Sequence, residues 1–351
     1  MKNILVTGGA GYIGSHTCLS LLEKGYKVFV IDSFINSSRN SLKKVLEVLE
    51  QKQIKSLDDL YFFEGDIRDK TFVESIFDKA LRKNSKIEGV IHFAALKSVQ
   101  ESIINPILYW DNNVKGIINL LDIIQKKDCN NIVFSSSAAI YGEKSNKLVD
   151  ENASTNPLNP YAFSKKVSEE LLFNVFKSNP LKWKIVNLRY FNPIGAHSSG
   201  LIGESPKGIP NNIFPYITNV ALGNFKEVSI FGKDWPTDDG TGVRDYIHVM
   251  DLAEAHIKAF EFLDKNNSQF MNLNIGTGKG TSVLELIKTF QAVNQVKIPY
   301  KFVERRDGDV SELIADNSLM KNILNWQPKR SIEDMCKDGW NWQLNNPFGY
   351  D

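Results

Sequence analysis

The sequence contains few cysteines, almost no net charge and no long apolar run. Its three cysteines, Cys18, Cys129 and Cys336, match no metal-ligand spacing, which is typical of free thiols in a reducing compartment. The 42 Lys and Arg residues are balanced by 41 Asp and Glu residues, so bulk charge would not attract nucleic acid or an acidic membrane. Residues 4–6, the first apolar run, are too few for a signal peptide, and no later run approaches the roughly 18 residues of a membrane span. We expect a cytoplasmic protein with no metal, nucleic-acid or membrane partner.

The first half of the 351-residue chain alternates short runs of Val, Ile and Leu with amphipathic segments. The apolar runs predict strands at residues 3–7, 27–32, 60–64, 89–93, 131–135 and 184–189. The amphipathic segments predict helices at residues 12–24, 38–51, 70–83, 99–127 and 160–177. Buried strands separated by helices indicate a parallel sheet covered on both faces, and so an α/β, doubly wound, Rossmann-like fold.

After residue 189 this alternation stops. Residues 191–245 carry clusters of Gly, Pro and Asn, which predict loops with isolated elements. Helices are predicted again near residues 251–263, 282–293 and 331–342. We expect a first domain at residues 1–190 and a smaller α/β lobe at residues 191–351, with some of the chain returning to the first domain. A ligand would then bind in the cleft between them.

A glycine-rich loop lies between the first strand and the first helix. Gly8, Gly11 and Gly14 follow a Gly-x-x-Gly-x-x-Gly spacing, one residue longer at its start than the commoner dinucleotide-binding motif. These glycines permit a tight turn, close approach of the backbone to a diphosphate, and close packing of helix on strand. The diphosphate would meet the positive end of the helix that begins near Tyr12.

Asp32 ends the second predicted strand, where a carboxylate can accept hydrogen bonds from both hydroxyls of an adenosine ribose. Its charge would repel a 2′-phosphate, which favours NAD over NADP. Arg39 could attract that phosphate instead, so this preference stays open. Asp66 and Ile67 follow the third strand and could reach the adenine, although a plain turn explains them almost as well.

Tyr161 and Lys165 are four residues apart, at the start of a helix that Pro160 is suited to begin. This spacing places both side chains on one helical face. A phenol with a pKa of about 10 is a poor base at neutral pH, but a neighbouring ammonium lowers that pKa. The pair can therefore move a proton on a sugar or alcohol hydroxyl. Ser137 follows the fifth strand at its carboxyl end, where ligands of such sheets bind, and its hydroxyl can share the proton.

In this order, the glycine loop, Asp32, Ser137, Tyr161 and Lys165 resemble the extended short-chain dehydrogenase/reductase family. The whole chain is similar to the UDP-glucose (UDP-galactose) 4-epimerases within it. The segments that carry this similarity are residues 6–16, 92–97, 111–114, 134–137, 188–193, 208–212, 239–252 and 305–309.

The resemblance implies a tightly held NAD that is reduced and reoxidised in each turnover. Tyr161 would take the proton from the sugar 4-hydroxyl, Ser137 would bridge the two, and Lys165 would also hold the nicotinamide ribose. The implied cofactor contacts are Gly8, Gly11, Tyr12, Ile13, Gly14, Asp32, Asn36, Asp66, Ile67, Phe93, Ala94, Lys97, Asn112, Ser135, Tyr161, Lys165 and Tyr190. The implied contacts to the UDP-sugar are Lys97, Ser137, Tyr161, Asn192, Asn212, Ile213, Phe231, Arg244, Arg306, Asp309 and Leu313. The resemblance also implies a homodimer formed through the helices at 99–127 and 160–177.

Leu313 departs from the family pattern. It stands where many family members restricted to plain hexoses carry a bulky Tyr, so we expect this chain also to accept UDP-N-acetylglucosamine and UDP-N-acetylgalactosamine. Two other functions are alternatives for this fold. A nucleotide-sugar 4,6-dehydratase would need acidic residues beside the serine, where this chain has Ala138 and Ala139. A non-catalytic NAD- or nucleotide-binding regulator would not need the intact Ser137, Tyr161 and Lys165.

Overall fold

A computed structural model describes residues 2–54, 57–144, 148–208, 210, 212–306 and 309–350. Its strands are β1 (Asn3–Thr7), β2 (Lys27–Asp32), β3 (Leu60–Glu64), β4 (Ile87–His92), β5 (Asn131–Ser135), β6 (Leu148–Val149), β7 (Lys184–Tyr190), β8 (Asn192–Ile194), β9 (Val228–Phe231), β10 (Val243–His248), β11 (Gln269–Ile275), β12 (Gly280–Ser282), β13 (Tyr300–Val303) and β14 (Glu312–Ala315). Its α-helices are α1 (Tyr12–Glu23), α2 (Arg39–Gln51), α3 (Lys70–Arg82), α4 (Val99–Ile104), α5 (Pro106–Tyr109), α6 (Gly116–Lys126), α7 (Pro160–Ser178), α8 (Ile213–Ala221), α9 (Val249–Lys265), α10 (Val283–Asn294), α11 (Ser318–Leu324) and α12 (Ile332–Asn345).

The chain divides into two compact units that do not follow a single cut in the sequence. The first unit comprises Met1–Ile140, Pro157–Arg189 and Ala253–Leu273. The second comprises Tyr141–Asn156, Tyr190–Leu252 and Asn274–Asp351.

In the first unit, the described strands form a seven-stranded sheet in the order β11-β7-β5-β4-β1-β2-β3. Strands β1 to β5 and β7 pair in parallel, which confirms the doubly wound α/β fold predicted from the sequence. The chain proceeds outward from β1 to β3 and then crosses to β4 on the other side of β1. Ligands of such sheets bind at the carboxyl ends of the strands where the order reverses, which here is between β1 and β4.

The core of this unit is a buried cluster to which both the apolar strands and the amphipathic helices contribute. Phe29 of β2 and Ile132 of β5 belong to one buried cluster with Ile76 of α3 and Leu120 of α6, and none of the four is more than 1% exposed. Burying a side chain of this size contributes about 1.5–3 kcal/mol relative to leaving it in water. The sheet is therefore held rigidly behind the loops that follow its strands.

The predicted single helix over residues 99–127 is wrong, because the structure divides this segment. Helix α4 ends at Ile104 and α5 begins at Pro106, with Asn105 at φ −125° and ψ 60° between them. Proline has no N–H to donate and disfavours a helical conformation at the residue before it. A π-helix then spans Trp110–Lys115 before α6. Such turns are rare and are frequent at functional sites.

The second unit contains a smaller mixed sheet. Among the described residues its order is β12-β10-β14-β6, with β8 also paired to β10. Strand β10 is antiparallel to β12 and parallel to β14 and β8, while β9 and β13 form a separate parallel pair. Phe214 of α8, Phe290 of α10 and Met335 of α12 are buried in the core of this unit. The predicted loop region 191–245 therefore includes β8, α8, β9 and the start of β10.

Candidate active site

The glycine loop joins β1 to α1 at the point where the strand order reverses. Gly8 has φ +71°, and a Cβ on it would lie 2.7 Å from the backbone nitrogen of Ala94. A Cβ on Gly14 would lie 2.2 Å from the carbonyl oxygen of Gly8, so helix and loop pack with no space for a side chain. Helix α1 begins at Tyr12 with Gly11 as its N-cap residue. The loop thus presents backbone and the positive end of a helix, which suit a diphosphate.

The Asp32 carboxylate ends β2 and is held by three donors. Its Oδ1 accepts from the Ser37 hydroxyl at 2.7 Å and the Phe34 backbone N–H at 2.9 Å, and its Oδ2 accepts from the Ala10 N–H at 2.9 Å. Arg39 forms an ion pair with Glu64. This pairing lessens the attraction of Arg39 for a 2′-phosphate, so the geometry favours the dinucleotide without that phosphate.

Asp66 and Ile67 follow β3, but Asp66 is already engaged. Its carboxylate accepts from the Arg68 side chain, at 3.0 Å and 3.1 Å from Nε and 2.6 Å from Nη2, and from the Arg68 backbone N–H at 2.8 Å. The hydrogen bonds from Arg68 lower the pKa of Asp66. Ile67 is 4% exposed and packs against Gly116. An adenine would therefore meet an ionised carboxylate in a turn that Arg68 stabilises.

Helix α7 positions the predicted catalytic pair. The Asn159 side chain accepts from the Ala162 N–H at 2.9 Å, and Pro160 occupies the first helical position, so sequence chemistry sets where the helix begins. Tyr161 and Lys165 are 7% and 4% exposed. The Lys165 ammonium donates to the carbonyl oxygen of Ser135 at 2.8 Å, at the end of β5.

The electrostatic environment of Lys165 is unusual for a lysine. Burial lowers its pKa to about 7, and the charge of Glu169 opposes that shift. The ammonium nitrogen also lies 4.9 Å from the centre of the Phe134 ring, a favourable cation–π distance. A lysine that titrates near neutrality beside a tyrosine is suited to acid–base chemistry.

Ser137 follows β5 and is 8% exposed. Its hydroxyl oxygen accepts from the Ala139 N–H at 3.2 Å, and Ala138–Tyr141 form a short 3-10 helix. Ser137 therefore lies two residues from the carbonyl group that holds Lys165. Ala138 and Ala139 carry no side-chain group that could transfer a proton.

The segment after β4 supplies the next group of predicted cofactor residues. The N–H groups of Phe93 and Ala94 both donate to the carbonyl oxygen of Thr7, at 3.0 Å and 3.1 Å. Lys97 is exposed, and Asn112 is partly buried on the π-helix. Asn36, after β2, is exposed, and Tyr190 is the last residue of β7.

Sequence reasoning missed two residues that organise this region. Asn113 is buried, and its amide bonds to both backbone groups of Leu96 and to the Ser164 hydroxyl, so it fastens the segment after β4 to α7. His92 ends β4, and its Nδ1 lies 2.6 Å from the Thr7 hydroxyl. Burial, and then the charge of Lys165, lowers the pKa of His92 to about 3. The paired Asn residues of the 111–114 segment were the available signal for Asn113.

In the second unit, the structure brings five predicted substrate residues together. Arg244 of β10 pairs in register with Leu313 of β14, which is 9% exposed. The Arg244 guanidinium lies 3.6 Å from the Asp309 carboxylate. The backbone N–H of Asp309 donates to the carbonyl oxygen of Arg306 at 3.1 Å, and the Arg306 guanidinium lies 4.1 Å from the centre of the Phe231 ring. Two guanidinium groups and one carboxylate suit a diphosphate and a ribose hydroxyl.

The other predicted substrate residues of this unit lie on β8 and at the beginning of α8. Asn192 is on β8 and pairs with Tyr246 of β10. Asn212 and Ile213 stand at the beginning of α8, and the Asn212 amide donates to Glu204 at 3.1 Å. Residues 209 and 211 of the 208–212 segment, and residues 307 and 308 of the 305–309 segment, lie outside the described residues.

Two negative findings apply to the described parts of the chain. No helix there is both long and apolar enough to cross a membrane. No group of three or more His, Cys, Asp or Glu side chains in those parts could hold a metal ion.

Comparison with known proteins identifies the family. A family model described as GDP-mannose 4,6 dehydratase matches residues 5–339. The UDP-glucose 4-epimerase of Bacillus subtilis is 46% identical over 347 residues, which cover 99% of this chain and 98% of that protein. The chain belongs to the UDP-glucose 4-epimerase family. This confirms the resemblance inferred from the motifs, and it places the chain among the extended short-chain dehydrogenase/reductases.

Solved structures of epimerases in this family superpose closely on the chain. The UDP-glucose 4-epimerase of Stenotrophomonas maltophila, with bound NAD and formylated UDP-arabinopyranose, has a TM-score of 0.92 and 44% identity, and 99% of each chain is covered. The UDP-glucose 4-epimerase of Bifidobacterium longum, in complex with NAD+ and UDP, has a TM-score of 0.91 and 42% identity, covering 99% of this chain and 100% of that one.

Proposed function

We propose that this chain interconverts UDP-glucose and UDP-galactose by NAD-dependent epimerisation at C4. The observation that carries the proposal is the buried Tyr161–Lys165 pair on α7, anchored to the end of β5 through the Lys165–Ser135 hydrogen bond. The glycine loop after β1, in the same sheet, has the cradle that a dinucleotide diphosphate needs. The residues present therefore fit NAD, with Asp32 for the adenosine ribose and Lys165 for the nicotinamide ribose.

In the proposed mechanism, the chain's own residues hold the sugar and move one proton. Tyr161, supported by the Lys165 ammonium, takes the proton of the 4-hydroxyl, and Ser137 relays it between phenol and sugar. Bound NAD would supply the hydride acceptor and later the donor. Tyr161 then returns the proton once the 4-keto sugar has exposed its other face. Arg244, Arg306 and Asp309 hold the UDP group, so the sugar can turn while the nucleotide stays bound.

A 4,6-dehydratase is not favoured, although the matching family model carries that description. Elimination of water across C5 and C6 needs an acid and a base beside the serine, and this chain has Ala138 and Ala139 there. A non-catalytic regulator is not favoured either, because Ser137, Tyr161 and Lys165 are all present and lie on α7 and at the end of β5.

The proposal is tested by measuring conversion of UDP-galactose to UDP-glucose by the purified protein and by Tyr161→Phe. Because the phenol supplies the general base, the variant should lose about 10²–10⁴-fold in kcat while keeping its bound NAD. Tyr300→Phe, which changes a 39% exposed tyrosine on β13, is the matched control and should keep native activity. A wild-type protein that binds NAD but leaves the C4 configuration unchanged would refute the proposal.

We also infer that the chain accepts the N-acetylated UDP-sugars. Leu313 lies on β14 beside Arg244, in the substrate cluster of the second unit. Leucine is shorter than the tyrosine that many family members carry there, and it lacks the hydroxyl. The sugar 2-position would therefore have room for an acetamido group.

We further infer a homodimer formed through one apolar face of the first unit. Helices α4 and α5 expose Ile103, Ile104 and Ile107, which are 60%, 76% and 81% accessible. Phe163 on α7, a helix that packs against both, is 44% exposed. Exposed apolar side chains on helices that pack together indicate an interaction surface. A second copy of the same helices, related by a two-fold axis, is the partner that we infer.

A cytoplasmic location is the last part of the proposal. Cys18, Cys129 and Cys336 are each free and buried, which suits a reducing compartment. Nucleotide sugars and NAD are metabolites of that compartment, so substrate and cofactor would be available there.

A further inference from the structure

Glu169 and Arg189 form a buried ion pair in the first unit that the proposed mechanism does not use. Arg189 Nε lies 3.1 Å from each Glu169 carboxylate oxygen, and Nη2 lies 2.7 Å from Oε2. The two side chains are only 7% and 6% exposed. Removing two charges from water is costly, and an apolar pair of similar volume would often serve stability equally well. Stability alone therefore does not account for this pair.

Ser136 is a third partner of this ion pair, and it precedes the catalytic Ser137 in the chain. The Ser136 hydroxyl donates to Glu169 Oε1 at 2.5 Å, and Ser136 is fully buried. Its neighbours in the chain are Ser135, which accepts from Lys165, and Ser137. Lys165 and Glu169 are four residues apart, so they lie on one face of α7 in consecutive turns. Lys165 holds Ser135 and Glu169 holds Ser136, the two residues before Ser137.

Glu169 also provides the negative charge that acts on Lys165. Burial disfavours the Lys165 ammonium, and the charge of Glu169 opposes this effect. The other titratable neighbours are His92 on β4, whose pKa of about 3 leaves it neutral, and Tyr161 on the same helix. Arg189 on β7 binds Glu169 and partly offsets its charge.

We propose that Glu169 is a positioning residue for the epimerisation: through Ser136 it fixes Ser137, and from the next turn of the same helical face its carboxylate stabilises the Lys165 ammonium. This inference rests on the proposed function. It assigns Arg189 the role of orienting the carboxylate, so that one oxygen stays directed at Ser136 while the buried charge remains paired.

The test compares Glu169→Gln with Glu170→Gln in the NAD-bound protein. Gln keeps the volume of Glu169 and removes its charge, whereas Glu170, 61% exposed on the same helix, is a matched control. We expect Glu169→Gln to lower kcat about 10- to 100-fold with KM and bound NAD unchanged. Because a less charged Lys165 supports the Tyr161 phenolate less well, the acid limb of the kcat–pH profile should move up by about one pH unit.

A second variant keeps the inference testable if Glu169→Gln fails to fold. Ser136→Ala removes the hydroxyl and leaves the charge, so kcat should fall without movement of the acid limb. Native kcat in Ser136→Ala would overturn the positioning role, and an unmoved acid limb in a folded Glu169→Gln would overturn the electrostatic one. A raised KM or lost NAD with an unmoved limb would mark a structural role instead. An inactive wild type refutes the proposed function, whereas an active wild type with unaffected variants refutes only this inference.

Discussion

The lowered pKa of His92, at the end of β4, can be tested quantitatively through the pH dependence of stability. His92 ends β4, which pairs with β1 and β5, and it is only 2% exposed. Its imidazole bonds to Thr7, and burial lowers its pKa from 6.5 to about 3. Between pH 6.5 and 3, the unfolded chain therefore binds a proton that the folded protein does not. The contribution of neutral His92 to stability is fully present above pH 6.5 and is lost as the pH falls toward 3.

The size of this effect follows from the two pKa values. At pH 5, a residue with a pKa of 6.5 when unfolded is mostly protonated, and the folded protein still excludes that proton, so stability falls by about 2 kcal/mol relative to pH 8. For a chain of this length, that corresponds to a decrease of about 3 °C in the unfolding midpoint. The result depends little on the folded pKa, provided that it lies well below 5.

The assay is thermal unfolding of the NAD-saturated protein at pH 8 and pH 5, for wild type, His92→Asn and Thr7→Val. His92→Asn lowers the midpoint at both pH values, but its decrease between them should be about 3 °C smaller than that of wild type. Thr7→Val removes the hydrogen bond and keeps the titrating ring, so its decrease should match wild type. Equal decreases in wild type and His92→Asn would show that His92 does not resist protonation in the folded state.

Two further outcomes test the proposals on specificity and assembly. Leu313→Tyr should lower kcat/KM for UDP-N-acetylglucosamine about 10-fold or more relative to UDP-glucose, and an unchanged ratio of the two values, measured side by side, would contradict the specificity proposal. Ile107→Glu should convert the dimer to a monomer in light scattering, because a carboxylate cannot be buried in the apolar face without a partner. Leu181→Glu, at a residue 93% exposed outside that face, should stay dimeric; a monomeric wild type would refute the dimer.

The sequence predicted most of what local patterning controls. The predicted bounds of β1, β2, β3 and β5 agree with the structure. For β1, β2 and β5 the reason is that a short apolar run bounded by loops is typical of a buried strand. Pro160 indicated where α7 begins, and the glycine spacing indicated where α1 begins. The prediction that was wrong, a continuous helix over residues 99–127, overlooked Pro106, which indicates a helix boundary.

The tertiary structure alone decided which side chains meet across the sheet. Thr7 and His92 are 85 residues apart, and Glu169 and Arg189 belong to a helix and a strand whose contact no periodicity records. Arg244 and Asp309 likewise meet only because β10 and β14 are neighbours. Periodicity in sequence reports how each element presents its own faces, whereas register between distant strands is set by packing of the whole core. The catalytic and binding residues could therefore be predicted from the sequence, but the contacts that position them and set their charge states form only in the folded protein.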